Sequence, residues 1–97
     1  MERYVTRPGV VLCSVCGEYL LVAAKEAREH CPYVTQINAS SAFLWGKLNS
    51  GGDLESLVQA VGNRYDIDDR ETVYQSVQAF LDQMLELGYL LRKGEEQ

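Results

Sequence analysis

Ninety-seven residues, 46% hydrophobic and 24% charged, describe one small globular domain rather than a disordered tail. No apolar run approaches the ~20 residues needed to span a bilayer. The start, Met1-Glu2-Arg3-Tyr4, lacks the charged-then-apolar pattern of an export signal, so a cytoplasmic protein is expected. The formal net charge is −5, with nine basic residues scattered among fourteen acidic ones. That distribution argues against nucleic acid and against anionic membranes as partners, since both are bound through concentrated Lys and Arg.

In chain order, residues 1–9 read as a polar lead-in ending at Pro8-Gly9. Val10–Val15 is apolar and β-branched and predicts a first strand. Cys16-Gly17-Glu18 makes a tight connection in which Gly17 is free to adopt positive φ, and Tyr19–Ala24 predicts the returning strand of a hairpin. Lys25–Pro32 reads as a charged loop, and Tyr33–Ile37 as a third strand. That strand runs directly into Asn38, whose side-chain oxygen suits the first free N–H groups of a helix over about Ala39–Asn49. Ala42, Leu44, Trp45 and Leu48 form its apolar face, and Ser50-Gly51-Gly52 ends it.

Asp53 caps a second helix whose apolar residues Leu54, Leu57, Val58, Val61 and Tyr65 keep a helical spacing. Asp68, with Glu71 three residues on, fits a capping box opening a third helix that stops at Gly88. Tyr89-Leu90-Leu91 reads as a short extended tail. The third helix is apolar over an arc of roughly 160°, wider than the stripe of about 100° that one core contact needs. Either it lies centrally between two neighbours, or its Tyr74, Leu81, Leu85 edge lines a groove for a partner.

Signals of catalysis are nearly absent. The single histidine, His30, sits beside Cys31 in the charged loop, and adjacent residues rarely form a nucleophile–base pair. No Gly-rich phosphate loop occurs, and Asp68, Asp69 and Glu71 are a helix start more simply than an acid/base cluster. The chain is not expected to be an enzyme, and no cofactor is implied. Three cysteines, an odd number, suggest reduced thiols. Cys13-x-x-Cys16 resembles half of a zinc knuckle that His30 and Cys31 could complete, but adjacent ligands are the wrong spacing. Ordinary thiols, with Cys13 a small buried hydrophobe, are the plainer reading, and no metal is expected.

Phe43 and Trp45 fit a core better than a ligand platform. The third strand is more informative, because Tyr33–Ile37 carries no charge and no Pro. An unprotected edge of this kind can accept an extended peptide, unless the tail Tyr89–Leu91 or a second copy of the chain covers it.

The residues Gly17-Glu18-Tyr19-Leu20-Leu21-Val22 and Ile37-Asn38-Ala39-Ser40-Ser41-Ala42-Phe43-Leu44-Trp45 resemble the PqqD-like proteins. So does the run Val77-x-x-Phe80-Leu81-x-x-Met84-x-x-Leu87-Gly88-Tyr89-Leu90, and together the pieces cover about Val10 to Leu91 in the right order. The resemblance implies an α+β, winged-helix-like fold, a three-stranded antiparallel sheet followed by three helices, in a single domain spanning residues 1–97. It implies a non-catalytic recognition element that binds the leader of a ribosomally made precursor peptide and presents it to a tailoring enzyme, often a radical-SAM protein. In that family the leader adds as a strand beside the third strand and packs on the third helix. Carried onto this chain, the groove is formed by Tyr33, Val34, Thr35, Gln36 and Ile37 with Val73, Tyr74, Val77, Gln78 and Leu81. Two readings of other classes compete: a winged-helix DNA-binding regulator, and a homodimeric adaptor closed by the strand edge. The third helix offers a regulator only Arg70 against Asp69, Glu71, Asp82 and Glu86.

Overall fold

Over residues 2–93, the part that the computed structural model describes, the chain forms two three-stranded antiparallel sheets and three α-helices. The first sheet is the expected one. Strands β2 (Val10–Val15), β3 (Glu18–Ala23) and β4 (Val34–Ile37) lie in that order, after a short β1 (Arg3–Thr6) that precedes them in the chain. The β2–β3 hairpin closes through Cys16 and Gly17 with φ of +51° and +79°. Positive φ at both central residues gives a turn whose twist matches that of the strands. The loop expected over Lys25–Pro32 contains a 3-10 helix at Lys25–Glu29.

Each helix is opened by a side chain. Asn38 accepts the Ser41 N–H at 2.8 Å and starts α1 (Ala39–Leu48). At α2 (Leu54–Tyr65), Asp53 accepts the Ser56 N–H at 2.8 Å while the Ser56 hydroxyl accepts the Asp53 N–H at 3.3 Å, a reciprocal box. The cap of α3 (Arg70–Leu87) is Asp69, one residue later than the Asp68–Glu71 pairing predicted. Asp69 takes both the Thr72 hydroxyl, at 2.7 Å, and the Thr72 N–H, at 3.2 Å, and a partner with two donors outcompetes Glu71. Thr72 and Ser56 hydrogen bonds hold the Asp69 and Asp53 carboxyls below the usual carboxylate value.

The ends of the chain differ from the sequence expectation. The lead-in is β1, and the tail is β6 (Leu90–Arg92). They pair antiparallel, Val5 opposite Leu91, and β5 (Gly52–Asp53) completes the second sheet in the order β5-β1-β6. Burial of Tyr4, which is 6% exposed, joins this sheet to the core. Leu90–Arg92 therefore closes the second sheet, and no described residue of the tail covers β4.

The core gathers Leu21, Trp45, Leu48, Leu81 and Tyr89, all at most 1% exposed. Trp45 meets Tyr89 edge to face, ring centroids 6.4 Å apart, so the tryptophan is core as expected. α3 buries Val73, Val77, Phe80, Leu81 and Met84, so its wide apolar arc reflects a central position. It ends at Gly88, φ +92°, where a Cβ would collide with the His30 carbonyl oxygen. Only glycine lets the helix end pass that close to the segment leading into β4.

Candidate functional site

Among the described residues, β4 pairs with β3 on one side and with nothing on the other. Its register (Val34 opposite Val22, Thr35 opposite Leu21, Gln36 opposite Leu20) continues to Ala23, whose N–H donates to the Tyr33 carbonyl at 2.8 Å. Antiparallel ladders alternate, so Tyr33, Thr35 and Ile37 direct their main-chain groups at β3. Val34 and Gln36 direct their N–H and C=O groups outward. Two donors and two acceptors thus stand along an edge with no charged side chain of its own.

This edge is held from behind. The Tyr89 hydroxyl donates to the Pro32 carbonyl at 2.7 Å and lies 2.6 Å from the Thr35 hydroxyl. One phenol, just past the end of α3, therefore pins both the start and the middle of β4. Burial raises the Tyr89 pKa, and the Thr35 hydrogen bond pulls partly against it. At the solvent side, Arg28 stacks over the exposed Tyr33 ring, 4.1 Å to its centroid, and Gln36 donates to Glu18 at 3.0 Å. Val34 is 48% exposed and presents a bare apolar side chain.

Where β4 runs into α1, a groove of about 380 Å³ opens between Asn38, Ser40 and Ser41 on one wall and Ser76, Ala79, Phe80 and Gln83 of α3 on the other. Val77 and Leu44 floor it. Two further hollows, at Phe43–Arg64 and at the Asp66–Arg70 linker, do not adjoin β4.

The β4 residues named from sequence thus lie together along one accessible edge, with Ile37 partly buried against the core. The α3 residues do not join them on the surface. Val73, Val77 and Leu81 are at most 3% exposed, beneath the core contacts. Tyr74, 39% exposed, and Gln78, which donates to Asp82, share the flank of Leu85, and Leu85 faces Arg7, Leu90 and Leu91 beside the second sheet. The α3 residues that line the groove with Asn38, the residue just past β4, are Ser76, Ala79, Phe80 and Gln83, on the opposite flank. An apolar arc centred on the core is nearly symmetric, so periodicity alone could not say which flank meets the strand.

Among the described residues, no three of His, Cys, Asp and Glu converge as a metal site would require. Cys31, not Cys13, is the buried thiol. It donates to the Ala27 carbonyl at 3.1 Å, and burial raises its pKa. Cys13 is half-buried and Cys16 exposed in the turn. No described helix is long and apolar enough to cross a membrane.

The sequence matches the family described as Coenzyme PQQ synthesis protein D (PqqD) over residues 22–90. The chain belongs to the PqqD family. The matched span runs from the end of β3 through β4 and all three helices, and so contains the edge, the groove and the Tyr89 tether. Members of the PqqD family are non-catalytic, and this chain is one of them. The fold is similar to a solved structure described as "TbiB1 in Complex with the TbiA(beta) Leader Peptide", at a TM-score of 0.71 and 22% identity. That similarity covers 96% of this chain and 99% of the other. No curated protein matches the chain.

Proposed function

We propose that this PqqD-family chain binds the leader of a ribosomally made precursor peptide by strand addition at β4 and delivers it to a tailoring enzyme of the radical-SAM type. The observation that carries the reading is the β4 edge, unpaired among the described residues, with the outward groups of Val34 and Gln36 along it and Asn38, just past its end, in the wall of the Ser76–Gln83 groove. Four main-chain hydrogen bonds supply affinity that tolerates many sequences, and alternate leader side chains entering the groove supply selectivity. A likeness in fold to a chain solved with a leader peptide supports the same occupant here. No bond is made or broken on this chain. It speeds modification by holding substrate and enzyme together, so that their encounter becomes intramolecular.

Calorimetric titration with a synthetic leader, from a short precursor encoded beside the gene, tests the reading. Saturable one-to-one binding is expected, lost when a proline is placed in the strand-forming segment of the leader. A leader that binds equally well with that proline would overturn strand addition. Failure of every neighbouring leader to bind would overturn peptide capture itself.

A further inference from the structure

The hairpin carries a second open edge. Among the described residues, β2 pairs with β3 alone. Its two-residue turn makes Val15 and Glu18 a hydrogen-bonded pair, so Val11, Cys13 and Val15 direct their main-chain groups at β3, and Leu12 and Ser14 direct theirs to solvent. Folded proteins blunt such edges with Lys, Pro, a bulge or a very short strand. β2 has six residues in unbroken register, with none of these devices. It is also apolar on both faces: Val11 is 52% and Val15 50% exposed on the outer face, and Leu12 is 36% exposed on the other.

We propose that a second copy of this chain covers the β2 edge, the two strands pairing antiparallel about a two-fold axis at Cys13. Charge permits this face. Each copy carries −5 overall, yet residues 10–17 contain no charged side chain, so two copies approach along β2 without opposing like charges. Register selects the axis. Centred on Cys13, Leu12 exchanges hydrogen bonds with the partner's Ser14. Val11 then faces the partner's Val15, and Cys13 the partner's Cys13, as non-hydrogen-bonded pairs whose side chains approach most closely. An axis at Leu12 would instead set the partner's Val15 against Gly9. The pairing yields one six-stranded sheet with an open β4 edge at each end, so it is independent of leader binding. One strand pair about 20 Å long is smaller than a standard interface, and association is therefore concentration-dependent.

Sedimentation equilibrium of the full chain across a concentration series tests this, with circular dichroism as the control for folding. The wild type is expected to show a monomer–dimer equilibrium. Val11→Glu with Val15→Glu sets two pairs of like charges across the axis and should weaken dimerisation by about tenfold or more. Val11→Lys with Val15→Glu should restore it to within about threefold, because position 11 of one copy faces position 15 of the other. In a Cys16→Ser chain, oxidation by diamide should link the dimer through Cys13, each pair of thiols giving two electrons and two protons to the diazene. Cys13→Ser should abolish the link. A wild type monomeric throughout the series, or a charge swap no better than the double Glu variant, would overturn the proposal. So would a dimer dispersed by leader peptide, which assigns pairing to β4. A monomer that uses Val11 and Val15 to hold the tailoring enzyme would overturn it too, and assign the edge to that enzyme.

Discussion

Replacing Gln36 with proline separates the main-chain account of the β4 edge from any account based on side chains. The Gln36 N–H faces away from β3, so Gln36→Pro removes no ladder bond of the folded chain and sets its ring where an added strand would lie. A bound leader loses one main-chain hydrogen bond, worth about 1 kcal/mol, and one of its carbonyls is left facing the ring, costing about 1 kcal/mol more. The sum, about 2 kcal/mol, is a rise in Kd of about 30-fold. Titration calorimetry reads the affinity, and urea unfolding confirms that the domain is intact. Thr35→Pro is the contrasting change, because the Thr35 N–H bonds inward to Leu21 and its loss should destabilise the domain itself. Ser14→Pro makes the same chemical change on the β2 edge and should leave leader affinity unaltered. If Gln36→Pro binds leader within about threefold of the wild type, the outward groups of β4 do not hold the peptide and the reasoning fails.

The α3 flank is tested by two exposed positions. Ser76→Trp fills the groove beside β4 and should cost leader affinity about tenfold or more by excluding one apolar side chain. Tyr74→Ala, on the far flank, should change it little, and a large loss there would restore the Tyr74 side as the peptide face. Gly88→Ala should destabilise the domain by at least about 2 kcal/mol, read as a drop in urea midpoint, because φ is +92° and the new Cβ meets the His30 carbonyl oxygen. Tyr89→Phe should cost about 1–2 kcal/mol by leaving Thr35 and the Pro32 carbonyl without the phenol. For pH, burial raises both Tyr4 and Tyr89 above the ordinary value of 10.0, with a Glu2 hydrogen bond adding to the shift at Tyr4. Protons are thus held more tightly in the folded state. The stability this contributes is complete below the unfolded value and is lost as pH rises through the folded one. Denaturant midpoints near neutrality should not respond to these phenols, and should fall above about pH 10, less steeply in Tyr89→Phe.

Much of the molecule was legible because its causes are local. Asn38 and Asp53 cap helices through N–H groups three residues away, Gly17 meets the demand of a two-residue turn, and Gly88 stops a helix by adopting a conformation other residues avoid. The uncharged Tyr33–Ile37 run could be picked out as an edge able to accept a strand for the same reason, since gatekeeping residues are either in the strand or absent. Asp69 taking the cap from Asp68 is a small departure, decided by the second hydrogen bond that Thr72 offers.

Sequence by itself thus determined the hairpin, β4, the three helices and the family to which they belong, each through periodicity, capping or turn chemistry within a few residues. Tertiary structure alone decided what is non-local. Arg3–Thr6 has no strong alternation and becomes a strand only because Leu90–Arg92 and Gly52–Asp53 arrive beside it. That pairing places Leu90–Arg92 in the second sheet, so that no described residue of the tail covers the β4 edge. Leu85 of α3 lies beside the second sheet, and the Ser76–Gln83 flank lies beside the start of α1. A helix wheel shows how wide an apolar face is, but which side of it meets a given strand is set by packing contacts between residues far apart in the chain.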